Sequence, residues 1–450
     1  MTTEARPSIA PLCEWVRHRD GHADARVPLL EKAAALLTGD ADGTDGERVE
    51  LAERLERWRY QLQSERAGDL ESEDHRLLDT LDLMANDLAG RQPRPPRRTR
   101  ELLRDDSLLT EGIVDALPWL DPACSLEQLI QQATALTIQR FGDRSLGDRP
   151  GAGREMLLYA PLYLSNHCIN HCTYCGFRYP LKIERTHLTL DQARREADIL
   201  IERGFGHLLL VGGDFPALTT VEYYAAVLSA LRQRGVASAV EIAPQSTADY
   251  ARLVEAGMRG ITLYQETYDQ RRYAAYHPRG SKAAYDWRFE GLDRAADAGA
   301  ERLGLGVLLG LADPIEDIQA MMRHAAYLSA RHPGTTIAFS LPRIHEAPDG
   351  FRPPHQIDDD LFIRLYCVLR LAFPAAQLVL STRESATLRD RLAAICITQM
   401  SAGSCTAPGG YEETSCETAG EQFPVSDHRS AETMSNWLTE RGFRVSWNLP

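Results

Sequence analysis

The segment SNHCINHCTYCGF sets Cys168, Cys172 and Cys175 in the spacing C-x₃-C-x₂-C, three of nine cysteines within eight residues. An odd cysteine count with such clustering points to metal ligation, not to a disulfide framework. Three thiolates on one loop can each bind one iron of a [4Fe–4S] cubane, leaving the fourth iron without a protein ligand. That open iron can chelate the amino and carboxylate groups of S-adenosylmethionine (SAM) and pass one electron to its sulfonium, giving methionine and a 5′-deoxyadenosyl radical. A structural zinc site is the rival reading. It wants four ligands, usually in two C-x₂-C pairs, and His167 or His171 would have to supply the fourth. Buried, inert thiols are the third reading. Tyr174, immediately before Cys175, is placed either beside an adenine or as packing for the loop itself.

Such a loop needs a scaffold that presents it. From residue 155 onward, short apolar runs alternate with amphipathic helices. The runs are MLLYAPLYLS, HLLLVGG, SAVEIAP, GITLYQET, RLGLGVLLG, TIAFSLPR, QLVLSTR and CITQMSA, and between them lie segments such as LDQARREADILIERG and TVEYYAAVLSALRQRG. Continuous apolar strands alternating with amphipathic helices imply a parallel sheet covered by helices. Eight strands and seven intervening helices predict an α/β fold, a (β/α)₈ TIM-type barrel over 155–404, of roughly 250 residues. An open doubly wound sheet is the alternative, weakened by the lack of a fingerprint glycine turn.

In a barrel the active site lies where strands end. The strand ends are the cysteine loop, Gly213-Asp214, Pro244-Gln245-Ser246, Gln265-Glu266-Thr267, Pro342-Arg343, Thr382-Arg383-Glu384 and Ser401-Ala402-Gly403-Ser404. Gly213, Asp214, Ser246 and Glu266 are candidates for holding the cofactor. Arg343, Thr382, Arg383 and Ser401 are candidates for holding a substrate.

The remainder is organised around this barrel. Residues 1–90 carry helical spacing, as in VELAERLERWRYQLQ, and predict two or three amphipathic helices. RQPRPPRRTR (91–100) is a linker too rich in proline for a helix or strand, or else a basic docking segment. A helical lead-in over 101–154 ends at LEQLIQQATALTIQRFG, and 405–450 closes the barrel. A formal charge of −14 argues against nucleic acid or an anionic membrane as partner. No apolar run is long enough to span a bilayer, and MTTEARPSIAPLCEWVRHRDG lacks a signal-peptide core. A cytoplasmic setting, where thiols stay reduced, is the expectation.

Taken in order, APLYLSNHCINHCTYCGF, LLLVGGD, LYQETY, GLGVLLGL, LPRI, LSTRES and SAGSCTAPGGY resemble the aromatic amino acid lyase branch of radical SAM enzymes over roughly residues 125–448. That branch holds tyrosine lyases of the 2-iminoacetate synthase type, the tyrosine lyase that matures [FeFe]-hydrogenase, and a tryptophan-using relative. The resemblance implies SAM cleavage at the cluster, abstraction from the amino group of L-tyrosine and Cα–Cβ cleavage to p-cresol and dehydroglycine. It implies a one-electron donor such as flavodoxin or ferredoxin, and a thiazole synthase as a recipient of the product. It places Arg343 in the carboxylate clamp, since a guanidinium fork matches a carboxylate with two hydrogen bonds. Thr382 and Arg383 are placed to share the task, although Arg383 could equally pair with Glu384. Glu266 is placed at the SAM ribose or behind it.

Two departures from the branch stand out. Gly213-Asp214 replaces the usual Gly-Glu, so the carboxylate for the SAM ammonium is one methylene shorter; alternatively Asp214 caps the next helix. The sequence ends at VSWNLP without the maturase's C-terminal cysteine motif, so release of dehydroglycine, without CO and cyanide, is expected. Of the later cysteines, Cys367 is expected in a helix core and Cys396 within strand eight. Cys405 and Cys416 are expected in loops, as incidental thiols. A non-catalytic Fe–S or zinc scaffold remains the reading from another class.

Overall fold

The computed structural model describes residues 9–19, 22–65, 72–91, 102–143, 150–412 and 420–449. The chain forms two compact units, Met1–Arg98 and Thr99–Pro450. In the first, four helices occur where the spacing suggests two or three: α1 (Ala10–Arg19), α2 (Ala23–Thr38), α3 (Asp45–Glu65) and α4 (Ser72–Leu88). The extra boundary comes from Gly39, which takes the left-handed conformation (φ 82°) and closes α2. Leu30, Leu55, Trp58, Leu77 and Leu81 form this unit's own apolar core. Of the proline-rich segment 91–100 only Arg91 is described, and its guanidinium meets Glu56 at 2.8 Å; the rest lies outside the described residues.

The second unit opens with α5 (Glu111–Ala116) and α6 (Leu126–Phe141) and then builds the predicted barrel. Its strands are β1 (Glu155–Ser165), β2 (His207–Gly212), β3 (Ala237–Glu241), β4 (Met258–Thr262), β5 (Arg302–Gly306), β6 (Thr336–Ser340), β7 (Gln377–Leu380) and β8 (Gln399–Ser401). Each pairs in parallel with the next, and β1 pairs with both β8 and β2, so the sheet closes. A ninth short strand, β9 (Arg444–Ser446), pairs with the start of β1.

The strands read as continuous apolar runs because both of their faces are buried. Period-two alternation still sorts the side chains. Leu158, Leu162, Leu208, Leu210 and Val240 belong to the large core shared with the surrounding helices. Tyr159, Tyr163, Leu209, Val211 and Ala239 form a separate cluster inside the barrel.

The surrounding helices are α7 (Leu190–Glu202), α8 (Val221–Gln233), α9 (Thr247–Ala256), the short α10 (Gln270–Tyr276), α11 (Tyr285–Phe289) and α12 (Gly291–Asp297), then α13 (Pro314–Arg331), α14 (Asp359–Ala372), α15 (Ala386–Ile395) and α16 (Ala431–Glu440). Side chains just before the helices stop the strand-to-helix loops. Thr189 and Gln192 form a capping box on α7, and Thr220, Ser246 and Ser385 cap α8, α9 and α15.

No described helix is long and apolar enough to cross a membrane. Cys396 corrects an expectation: it sits at the C-terminal cap of α15, not within β8, because the strand starts at Gln399, three residues later than the apolar run CITQMSA suggests. Its free thiol neighbours that of Cys367, both buried in the helix layer. Cys405 is buried and its Sγ lies 3.8 Å from the carbonyl of Ala407, while Cys416 lies outside the described residues.

Candidate active site at the mouth of the barrel

The cysteine loop leaves β1 and is held from every side by its own backbone. Ile169 N–H donates to the carbonyl of Asp214, His171 to that of Arg279, Thr173 to that of Tyr276 and Gly176 to that of Gln422. Arg185 spans the loop from below, donating to the carbonyls of Asn166, Phe177, Arg178 and Leu181. Gly213 is required where it stands: a Cβ there would run into the carbonyl of His167.

The three thiols suit a cluster. Backbone N–H groups of Asn170 and Phe177 point at the sulfurs of Cys168 (3.5 Å) and Cys175 (3.4 Å), as is usual around iron–sulfur ligands. Burial pushes all three thiols above their ordinary range, Cys168 to about 11. As free thiols they are protonated and inert, and binding iron must release protons. Among the described residues no three His, Cys, Asp or Glu side chains converge to hold a single metal ion, as a zinc site would need. His167 and His171 instead lie edge-on to Phe215 and Tyr179.

Beside the loop opens a cavity of about 660 Å³ lined by Tyr174, Cys175, Glu241, Tyr264, Glu266, Lys282, Arg343 and Arg383, with His345, Glu346, Gln422 and apolar neighbours completing it. Tyr174 is fixed by a 2.8 Å hydrogen bond between its hydroxyl and His277 Nε2. Glu266 adopts φ +68°, a strained conformation for a side-chain-bearing residue. Its carboxylate meets Lys282 Nζ at 2.5 Å and Arg288 at 3.6 Å. Burial alone would raise this carboxyl, but the two cations outweigh it and hold it below the usual range.

Asp214 is no helix cap, since Thr220 caps α8. Its Oδ2 accepts from Asn170 Nδ2 at 3.0 Å, which ties the strand-two end to the cysteine loop. Burial raises its carboxyl.

Four sequence candidates are placed differently from expectation. Arg343 reaches the cavity wall, but its fork is closed on the buried Glu384 (2.6–3.1 Å), with Asp359 at 2.7 Å and the carbonyl of Ile357 at 2.9 Å. It is therefore Arg343, and not Arg383, that takes Glu384. Ser246 is spent as the α9 cap, its hydroxyl accepting from Asp249 N–H and donating to the Asp249 carboxylate. Thr382 and Ser401 are buried outside the cavity lining, the Ser401 hydroxyl accepting from Thr382 N–H at 3.0 Å. Arg383 is what remains open: its guanidinium lies over the Phe423 ring, 3.2 Å from the centroid, and faces the cavity.

The sequence reading missed Lys282, Glu241 and Gln422. Lys282 lies in a single 3₁₀ turn (Ser281–Ala283) and Gln422 in an irregular segment, neither within a motif. Glu241 was legible in principle, as a carboxylate ending an apolar strand.

Residues 162–325 match the Radical SAM superfamily, and residues 340–444 match the Biotin and Thiamin Synthesis associated domain. The 2-iminoacetate synthase of Escherichia coli (strain K12) is 38% identical over 338 residues, covering 74% of this chain and 86% of the relative. That of Salmonella typhimurium is 36% identical over 336 residues, with the same coverage. The chain belongs to the 2-iminoacetate synthase family of radical SAM enzymes. Among solved structures, HydG, a maturase of the [FeFe]-hydrogenase, superposes with a TM-score of 0.68 at 31% identity, covering 78% of this chain and 79% of that one. The family's cofactors are a [4Fe–4S] cluster and SAM, and Cys168, Cys172 and Cys175 are the residues of this chain that fit the cluster.

Proposed function

We propose that this enzyme cleaves the Cα–Cβ bond of L-tyrosine to p-cresol and dehydroglycine (2-iminoacetate), with SAM converted to methionine and 5′-deoxyadenosine. One observation carries the reading. The cavity at the cysteine loop has Cys175 on one wall and an open guanidinium, Arg383, on another, in a chain 38% identical to a 2-iminoacetate synthase.

When bound, the cluster and SAM would supply a 5′-deoxyadenosyl radical from one electron; a flavodoxin or ferredoxin delivers that electron and a second one, which with a proton converts the cleaved benzylic fragment to p-cresol. The chain's own residues bind and orient. Arg383, stacked on Phe423, takes the substrate carboxylate, and Arg343 is held by Glu384 as the wall behind it. Glu266, pinned by Lys282, offers an ionised acceptor to the ribose hydroxyls of SAM. Asp214 and the carbonyls near it receive the SAM ammonium, and Tyr174 packs by the adenine. The walls Leu308, Pro342, Ile344 and Pro424 keep water from the radical. A thiazole synthase is the recipient of the reactive imine.

The test is anaerobic turnover of cluster-loaded protein with SAM, dithionite and either L-tyrosine or L-tryptophan. Stoichiometric p-cresol and 5′-deoxyadenosine from tyrosine are expected. An indole product from tryptophan, with no p-cresol from tyrosine, overturns the substrate assignment.

A further inference from the structure

We propose that Glu241 accepts a hydrogen bond from the phenol of the substrate and so selects tyrosine over phenylalanine; the inference rests on the tyrosine reading above. Glu241 is the last residue of β3. Ala239 points into the barrel and Val240 into the helix layer, so the period-two alternation turns Glu241 inward. Its carboxylate lines the cavity shared with Cys175 and Arg383.

What sets Glu241 apart is the lack of a partner. Glu266 is taken by Lys282 and Arg288, Glu384 by Arg343 and His345, and Asp214 by Asn170. Among the described residues the Glu241 carboxylate makes no hydrogen bond or ion pair. The charged groups facing it, Arg383, Glu266, Arg288 and Lys282, act only through space, and burial outweighs the cations, raising its carboxyl to about 7. The residue is half-buried, and a carboxylate so placed gains from a donor that a ligand brings to it.

The cavity also constrains what that something is. Tyr264 lies beneath it, fitted against Gly306, where any Cβ would meet the Tyr264 ring and the Ser340 carbonyl. Leu308, Pro342, Ile344, Phe423 and Pro424 line the same space as the guanidinium of Arg383 and the carboxylate of Glu241, with His345, Glu346 and Gln422 among them. A ligand that meets both Arg383 and Glu241 in this space needs a carboxylate, a flat apolar body and a hydroxyl donor. L-Tyrosine has that sequence of groups, and L-phenylalanine lacks the last.

The experiment measures anaerobic equilibrium binding of L-tyrosine and L-phenylalanine to the cluster-loaded enzyme with SAM, unreduced, for wild type, Glu241→Gln and Glu241→Ala. Wild type is expected to prefer tyrosine. Glu241→Ala should weaken tyrosine roughly tenfold or more and leave phenylalanine unchanged or tighter, and Glu241→Gln, which keeps an uncharged acceptor, should lie between. A preference for tyrosine that survives in both variants overturns the proposal. So does a proportionate loss of both ligands, which would make Glu241 a shaper of the pocket and nothing more. Iron content and SAM cleavage of each variant establish that the fold persists. Wild-type enzyme that makes no p-cresol refutes the tyrosine reading itself, an outcome distinct from wild type that makes p-cresol while discrimination ignores Glu241.

Discussion

The two ends of the barrel solve the problem of buried charge in opposite ways. At the foot, the first residues of β2, β5, β7 and β8 meet: His207, Arg302, Gln377 and Gln399. Arg302 donates to the amide oxygens of Gln377 (2.7 Å) and Gln399 (2.8 Å), and His207 Nδ1 bonds the carbonyl of Ala237 (3.1 Å). Burial depresses Arg302 to about 10, still a cation at neutral pH, and depresses His207 to about 3, a neutral ring. Neutral acceptors satisfy one fixed cation there, around a space of about 330 Å³. At the mouth, carboxylates and cations stand together, and Arg383 and Glu241 are left open toward a cavity twice that size. Charge arranged to be silent closes a barrel, whereas charge left open recognises a ligand.

The largest effect expected at the mouth is all-or-none. Replacing Cys168, Cys172 and Cys175 together by Ala should take iron from about four per chain to none and abolish SAM cleavage. Iron assay after anaerobic reconstitution checks it, and a triple variant that retains its iron breaks the contrast at its root.

The next effect separates two arginines, Arg343, which the sequence places in the clamp, and Arg383, which it places as a helper. Arg383→Ala should cost about 2–5 kcal/mol in tyrosine binding, since it removes one partner of a charge-assisted pair from a sheltered pocket. Its melting temperature should barely move. Arg343→Ala leaves the buried Glu384 with only His345, 3.2 Å away, and should destabilise the fold by about 3–5 kcal/mol. Tyrosine affinity and melting temperature measured on both variants decide it. Loss of affinity in Arg343→Ala with an unchanged melting temperature would return the clamp to Arg343.

How far the sequence reveals these regions follows from what each interaction depends on. The barrel was legible because strand burial on two faces and helix amphipathicity are local patterns. The cysteine loop was legible because its three ligands are close in sequence. The partnership of Arg343 with Glu384 spans 41 positions, and that of Glu266 with Lys282 spans 16 and reaches across α10. Such pairings are fixed by the closure of the barrel, not by any spacing, so the sequence shows neither the Glu384 partner of Arg343 nor the place of Lys282. Ser246 and Ser401 show the same limit: a hydroxyl at a strand end serves a cap or a neighbouring N–H as readily as a ligand, and spacing does not say which.

The smallest effect expected is one of stability against pH, and it distinguishes the ends by sign. At the foot, His207 is neutral when folded and titrates near 6.5 when unfolded. The unfolded chain therefore binds more protons below pH 6.5, and stability falls on acidification. At the mouth, Glu241 titrates near 7 when folded against an ordinary value of 4.5. Here the folded chain binds more protons between pH 4.5 and 7, so this residue's contribution is fully present below pH 4.5 and is lost as pH rises through 7. Glu241→Gln removes only the second dependence. Without substrate, the variant should match wild type near pH 4.5 and exceed it at pH 8 by on the order of 1–3 kcal/mol, while the acid limb stays the same in both. Anaerobic denaturant titrations across this range give the difference directly. A gap that is constant with pH would mean that Glu241 is as well solvated in the folded chain as in the unfolded one, and the mouth would then hold no carboxylate waiting for a donor.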